Sequence, residues 1–187
     1  KWFVLAAIIG VVLIGILIMI PGVLEYAQER LSTWRDPFAD PRDSGFQTIQ
    51  SLFAIGSGGL MGVGIGNSRQ KYLYLPEPQN DFIFSIVCEE LGFVGASFIL
   101  ILFALLIWRG FVIGMRCKDR FGALVAVGLT AQVGLQTILN IMVVTNTIPN
   151  TGVSLPFFSY GGSSLVMLLC QMGVVLAISR QATMEKI

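Results

Sequence analysis

The sequence predicts an all-α polytopic membrane protein with four transmembrane helices and one large polar loop, and three observations carry that prediction. Of 187 residues, 55% are hydrophobic and 12% charged, about half the charged share of a soluble domain (roughly 25%). Mean hydropathy is +0.78. The apolar residues also fall into four long runs, each close to or above the roughly 20 residues a helix needs to cross a bilayer. The segments between those runs hold nearly all the charge.

The first span is residues 2–24, an uncharged run closed by Pro21-Gly22. It follows Lys1 directly and exceeds the 7–15-residue apolar core typical of a signal peptide. A span cut from a longer chain is the expectation. Residues 25–80 form the polar loop, placed outside the cytoplasm. EYAQERLSTWRDPFADPRDSG predicts a short helix followed by turns at Asp36-Pro37 and Asp40-Pro41. Phe46, Ile49, Leu52, Phe53 and Ile55 then follow nearly helical spacing, as in an amphipathic or half-inserted helix.

The second span is 82–108, the third 122–148 and the fourth 157–178. The connection 109–121 holds Arg109, Arg116, Lys118 and Arg120 against Asp119. By the positive-inside rule it is cytoplasmic, as is the tail 179–187 with Arg180 and Lys186. Counting back places both ends inside and the two remaining connections, 25–80 and 149–156, outside.

Composition excludes several chemistries. There is no histidine, so a Ser-His-Asp triad, a histidine base and a histidine-ligated metal are ruled out. Cys88, Cys117 and Cys170 form no CxxC pair, so neither a disulfide framework nor a zinc site is indicated. A net charge of +1 gives no argument for a nucleic-acid partner.

The informative stretch is 72–92, YLYLPEPQNDFIFSIVCEELG. Carboxylates where a loop enters a span, and below it, are costly to place and therefore functional candidates. Asp81 reads equally as a helix N-cap and as a catalytic group. Glu77 lies between two prolines, where solvation is the ordinary reading. Glu89 and Glu90 lie inside the apolar helix and would cap or pair with loop residues. GSGGLMGVGIGNSRQK, residues 56–71, matches neither a P-loop nor a GxGxxG unit. It reads as a close-packed loop, or as glycine-freed amides beside Arg69 and Lys71 that could hold a diphosphate. Gln132, Gln136 and Asn140 stand four apart, a stripe suited to helix–helix hydrogen bonding. The last outer segment, TNTIPNTGVSLPFFSYGGSS, reads as a tight turn or as a cavity lining rich in hydroxyls.

Taken together, DPFADPRDSGFQTIQSL, IGSGGLMGVGIGNSRQK, YLPEPQNDFIFSIVCEELGFVG and NTIPNTGVSLPFFSYGGSSL resemble the SEDS family (shape, elongation, division and sporulation proteins, of FtsW/RodA type), from about residue 34 to 181. The GNSRQK…YLPEPQ wording is closer to the division and spore-cortex branch than to the elongation branch. The resemblance implies the C-terminal part of a ten-span fold that polymerises lipid II into glycan strands. It implies a role in cell division or cell shape, in the bacterial cytoplasmic membrane. It places the family's essential aspartate at Asp81, although Gln79-Asn80 departs from the His- or Ala-containing pair common before it. On that basis Asp81 is the general base; the charge of a diphosphate leaving group, rather than the resemblance, makes Arg69 and Lys71 candidate diphosphate contacts and Glu77 a candidate positioning or metal group. No cofactor is certain, and a divalent cation (Mg or Mn) is the candidate. The implied partners are lipid II, a class B penicillin-binding protein, and divisome or elongasome membrane proteins. Two other functions fit the residues: a lipid II flippase using the polar stripe, and a scaffold that docks the transpeptidase.

Overall fold

The computed structural model describes residues 8, 10, 22–39, 41, 45–70 and 80–183. Among them every regular element is helical, and three helices are long and apolar enough to cross a membrane. The first predicted span, 2–24, lies almost wholly outside the described residues, as do Lys71 and Glu77. The chain divides into two compact units, Lys1–Ile49 and Gln50–Ile187.

In the first unit, α1 (Val23–Arg35) starts at Gly22, whose φ of 91° sets the turn into the helix. No residue of α1 is buried, and the Arg30 guanidinium stacks 4.7 Å above the Tyr26 ring one turn away. The predicted turn at Asp36-Pro37 is present. The Asp36 carboxylate accepts from Phe38 N–H at 3.1 Å, and the Asp36 carbonyl from Ala39 N–H at 3.2 Å. Asp40 lies outside the described residues. Helix α2 (Phe46–Gly58) runs three residues beyond the apolar pattern and crosses the division between the units.

The second unit is built on α3 (Ile83–Arg116), α4 (Arg120–Val144) and α5 (Gly162–Thr183). The span read as 82–108 is helical to Arg116, so the connection shrinks from 109–121 to 117–119. Arg109 did not end the helix because a long side chain can keep its charge at an interface while its stem and the next apolar turn stay in the bundle. Asp119 instead caps α4, its Oδ2 accepting from Gly122 N–H at 2.7 Å. The span read as 122–148 ends at Val144, where Asn146 takes a left-handed conformation (φ 55°) that stops the helix. The span read as 157–178 begins at Gly162, because Phe157, at φ 66°, cannot be helical.

Helix α3 is not continuous. Gly92 (φ 67°, ψ −172°) breaks it. Residues 93–116 alone rise roughly 36 Å, enough to cross the hydrocarbon core, which leaves 83–91 as a separate segment above them. Below the break, Gly110 and Gly114 let α4 approach closely. A Cβ on Gly110 would stand 2.3 Å from Thr130 Oγ1, and one on Gly114 would stand 2.6 Å from Val127 Cγ2. Small residues one turn apart are how membrane helices gain packing without a hydrophobic driving force. The core around Phe82, Phe84, Ile86, Phe103, Val143, Val144 and Leu155 joins the head of α3 to the end of α4 and the last loop.

Candidate active site

The glycine-rich run after α2 interlocks with the break in α3. In an unbroken helix, Phe93 N–H would bond the Glu89 carbonyl and Val94 N–H the Glu90 carbonyl. Gly92 removes both bonds. The Glu89 and Glu90 carbonyls instead accept from Val63 and Gly64 N–H, each at 3.0 Å. Phe93 and Val94 N–H donate to the Gly59 and Leu60 carbonyls at 2.9 and 3.2 Å. These four backbone groups at the break are thereby satisfied, as a low-dielectric setting demands. Only glycine permits the approach. A Cβ on Gly58 would come within 2.0 Å of the Cys88 carbonyl oxygen, one on Gly62 within 2.2 Å of the Glu90 oxygen, and one on Gly92 within 2.3 Å of Gly62 N. The close-packed reading of this run is therefore the one the fold adopts.

Glu89 closes the same interlock. It is 2% exposed, and its carboxylate accepts from the Ser68 hydroxyl and from Arg69 N–H at 3.1 Å. The buried charge is thus met by two donors rather than left bare. Arg69 is held through its backbone, and its side chain is exposed. Glu90 has an Oε1 with no partner among the described residues.

Asp81 stands half-buried where the chain enters α3. The N-cap position belongs to Phe82, which supplies no side-chain cap bond. The Ser85 hydroxyl turns back to the Phe82 carbonyl at 2.6 Å. The Asp81 backbone is gripped from α4: Asn140 Nδ2 donates to the Asp81 carbonyl at 2.7 Å and to the Val153 carbonyl at 2.8 Å. One residue upstream, the Ser159 hydroxyl donates to the Asn80 carbonyl at 2.6 Å while accepting from Leu155 N–H at 2.8 Å. The loop between α4 and α5 therefore lies against Asp81. A Cβ on Gly152 (φ 68°) would stand 3.5 Å from Asp81 Oδ2, so the carboxylate lies over bare backbone. The loop is also tied down by Phe157 and Phe158, whose rings pack 6.5 and 6.0 Å from that of Phe103.

The structure thus joins Asp81 to the last loop and Arg69 to Glu89, which lies roughly 9 Å along α3 from Ile83. Among the described residues no group of three or more carboxylates or thiols is placed to hold a metal ion. Sequence reasoning missed the tasks of Asn140, Ser159 and Ser68. The polar stripe was the available signal for Asn140. It divides: Gln132 does bond across helices, accepting from Gln171 Nε2 at 3.3 Å, whereas Asn140 serves loop backbone.

Comparison with known proteins agrees with this architecture. The sequence profile of the FtsW/RodA/SpoVE cell cycle protein family matches residues 1–184. The stage V sporulation protein E of Bacillus subtilis (strain 168) is 50% identical over 179 residues, 95% of this chain and 48% of that protein. A probable peptidoglycan glycosyltransferase FtsW of Geobacter sp. (strain M18) is 43% identical over 169 residues, 87% of this chain and 46% of the relative. A chain from a solved structure described as "Structural coordination of polymerization and crosslinking by a peptidoglycan synthase complex" superposes with a TM-score of 0.67 at 30% identity, over 98% of this chain and 48% of the other. The chain spans about half the length of the curated relatives it matches. With a family profile matching nearly its whole length and a solved relative superposing over 98% of it, the chain belongs to the FtsW/RodA/SpoVE (SEDS) family.

Proposed function

We propose that this chain is the C-terminal part of a ten-span peptidoglycan glycosyltransferase that polymerises lipid II, with Asp81 as its general base. The observation that carries this reading is the setting of Asp81. A half-buried carboxylate stands at the mouth of a membrane helix, its backbone fixed by a fully buried amide and its oxygen over the bare backbone of Gly152. The names of relatives as probable peptidoglycan glycosyltransferases support the reaction class.

In the proposed step the 4-hydroxyl of a GlcNAc unit attacks the anomeric carbon of a MurNAc diphosphate-lipid. The new glycosidic bond forms as the bond to the diphosphate oxygen breaks, with inversion. Asp81 takes the hydroxyl proton, and undecaprenyl diphosphate departs with the bonding pair. Arg69 and Lys71 are proposed to meet that departing charge, with Glu77 as a positioning group or as a contact for a divalent cation (Mg or Mn). We place the protein in the bacterial cytoplasmic membrane with the 25–80 loop outside, where lipid-linked substrate would reach it. A class B penicillin-binding protein is the proposed partner, supported by the pairing of polymerization and crosslinking in the name of the structural relative. The flippase reading is weaker, because Gln132 and Asn140 are engaged by protein groups rather than lining a free polar path.

The test is lipid II polymerisation by the intact protein with its transpeptidase partner, comparing wild type with Asp81→Asn. The substitution keeps size and removes the base. Loss of glycan chains with partner binding retained is the expected result. Normal chain formation would refute the mechanism.

A further inference from the structure

Two consecutive carbonyls, Asn80 and Asp81, are each held by a side chain from elsewhere in the fold, and both side chains also hold the last outer loop. Asn140 Nδ2 has only two N–H bonds and spends one on Asp81 O and one on Val153 O. Ser159 repeats the arrangement on Asn80 O and Leu155 N–H. Two carbonyl oxygens repel, so Asp81 and Val153 can face one point only with a double donor between them. Aspartate lacks those donors, leucine matches the shape without them, and glutamine is one methylene too long for the same seat. Asn140 is 0% exposed, so water cannot stand in for it.

We propose that Asn140, seconded by Ser159, is the positioning residue of the Asp81 base: it sets the height and direction of the carboxylate relative to the outer loop. With two successive carbonyls fixed, the Asn80–Asp81 peptide cannot rotate, and the side chain leaves the backbone in one direction. This rests on the reading of Asp81 as the base. A displacement of about 1 Å at a reacting group can cost about 100-fold in rate, so the donor pair bears on turnover more than on substrate affinity.

The experiment measures lipid II polymerisation by the intact protein with its transpeptidase partner for wild type, Asn140→Leu, Ser159→Ala and Asp81→Asn. Amide hydrogen exchange is followed in parallel. Asn140→Leu is expected to lower kcat about 10- to 100-fold with KM within about twofold of wild type. Exchange should rise together in residues 80–84 and 153–159 and stay unchanged through the rest of α3 and α4. Ser159→Ala, at a half-buried site that tolerates loss of one hydroxyl, should show a smaller loss of the same kind, and it carries the test if Asn140→Leu does not fold. Wild-type kcat in both variants would overturn the proposal. So would a loss accompanied by faster exchange throughout α3 and α4, the mark of general destabilisation. Asp81→Asn separates the two ideas: full activity there sinks the base assignment, whereas an inactive Asp81→Asn beside fully active Asn140→Leu and Ser159→Ala sinks only the positioning role.

Discussion

Gly62 and Glu90 meet backbone to backbone: the Gly62 Cα faces the Glu90 carbonyl so closely that a Cβ would stand 2.2 Å from its oxygen. Gly62 also holds φ at 78°, so alanine there meets both a clash and an unfavourable backbone. Gly62→Ala is expected to destabilise by about 2–4 kcal/mol. Gly56→Ala, in helix α2 with open space around it, should stabilise by about 0.5–1 kcal/mol. Heating each variant in detergent and following the monodisperse fraction checks the pair. Equal tolerance of both would mean the interlock is loose.

Glu89 should behave as a structural carboxylate. Glu89→Ala removes the acceptor that the Ser68 hydroxyl and Arg69 N–H share, which costs about 1–3 kcal/mol. Glu89→Gln keeps an acceptor oxygen and should lose less. Limited proteolysis within residues 63–70 should accelerate in the alanine variant first. Cleavage at the wild-type rate would show that Glu89 does not hold the loop.

Ser51, buried in α2, donates to the Val144 carbonyl at 3.0 Å and so ties α2 to the last residue of α4. Its replacement by alanine frees one helix-end carbonyl, and a loss of about 1 kcal/mol is expected. Thermal unfolding of Ser51→Ala beside wild type is the measurement, and an unchanged midpoint would count against the tie.

The approach of α3 to α4 makes a coupled prediction. Gly110→Ala drives a methyl into Thr130 and should cost about 1–3 kcal/mol. Thr130→Ala in the same chain removes the two nearest atoms, Oγ1 and Cγ2, and should recover part of the loss. A double-mutant cycle with no coupling would mean the helices simply move apart.

The sequence made much of this legible, for identifiable reasons. Apolar run length placed α3, α4 and α5, because a bilayer span needs length and apolarity and little else. The Asp36-Pro37 turn and the helix from Phe46 also followed from local chemistry. Boundaries were less legible. Arg109 lies inside α3 because a guanidinium on a long stem does not end a helix. The Gly92 break could not be read from EELGFVG, since a single glycine in a membrane helix is common. What marks it is its partner, the glycine run thirty residues earlier in the chain. At the candidate site Asp81 was found by its position and by family wording. The tasks of Asn140 and Ser159 depend on contacts across 59 and 79 residues, which no local pattern encodes.

The exchange of hydrogen bonds at Gly92 has a consequence for how the protein is made. In the broken form of α3 the carbonyls of Glu89 and Glu90 and the amides of Phe93 and Val94 find their partners in residues 59–64, and lipid would offer them none. The break and the loop before it are therefore formed as a pair. Completion of this segment is a joint event, and a change that unseats either one leaves the other without its bonding partners.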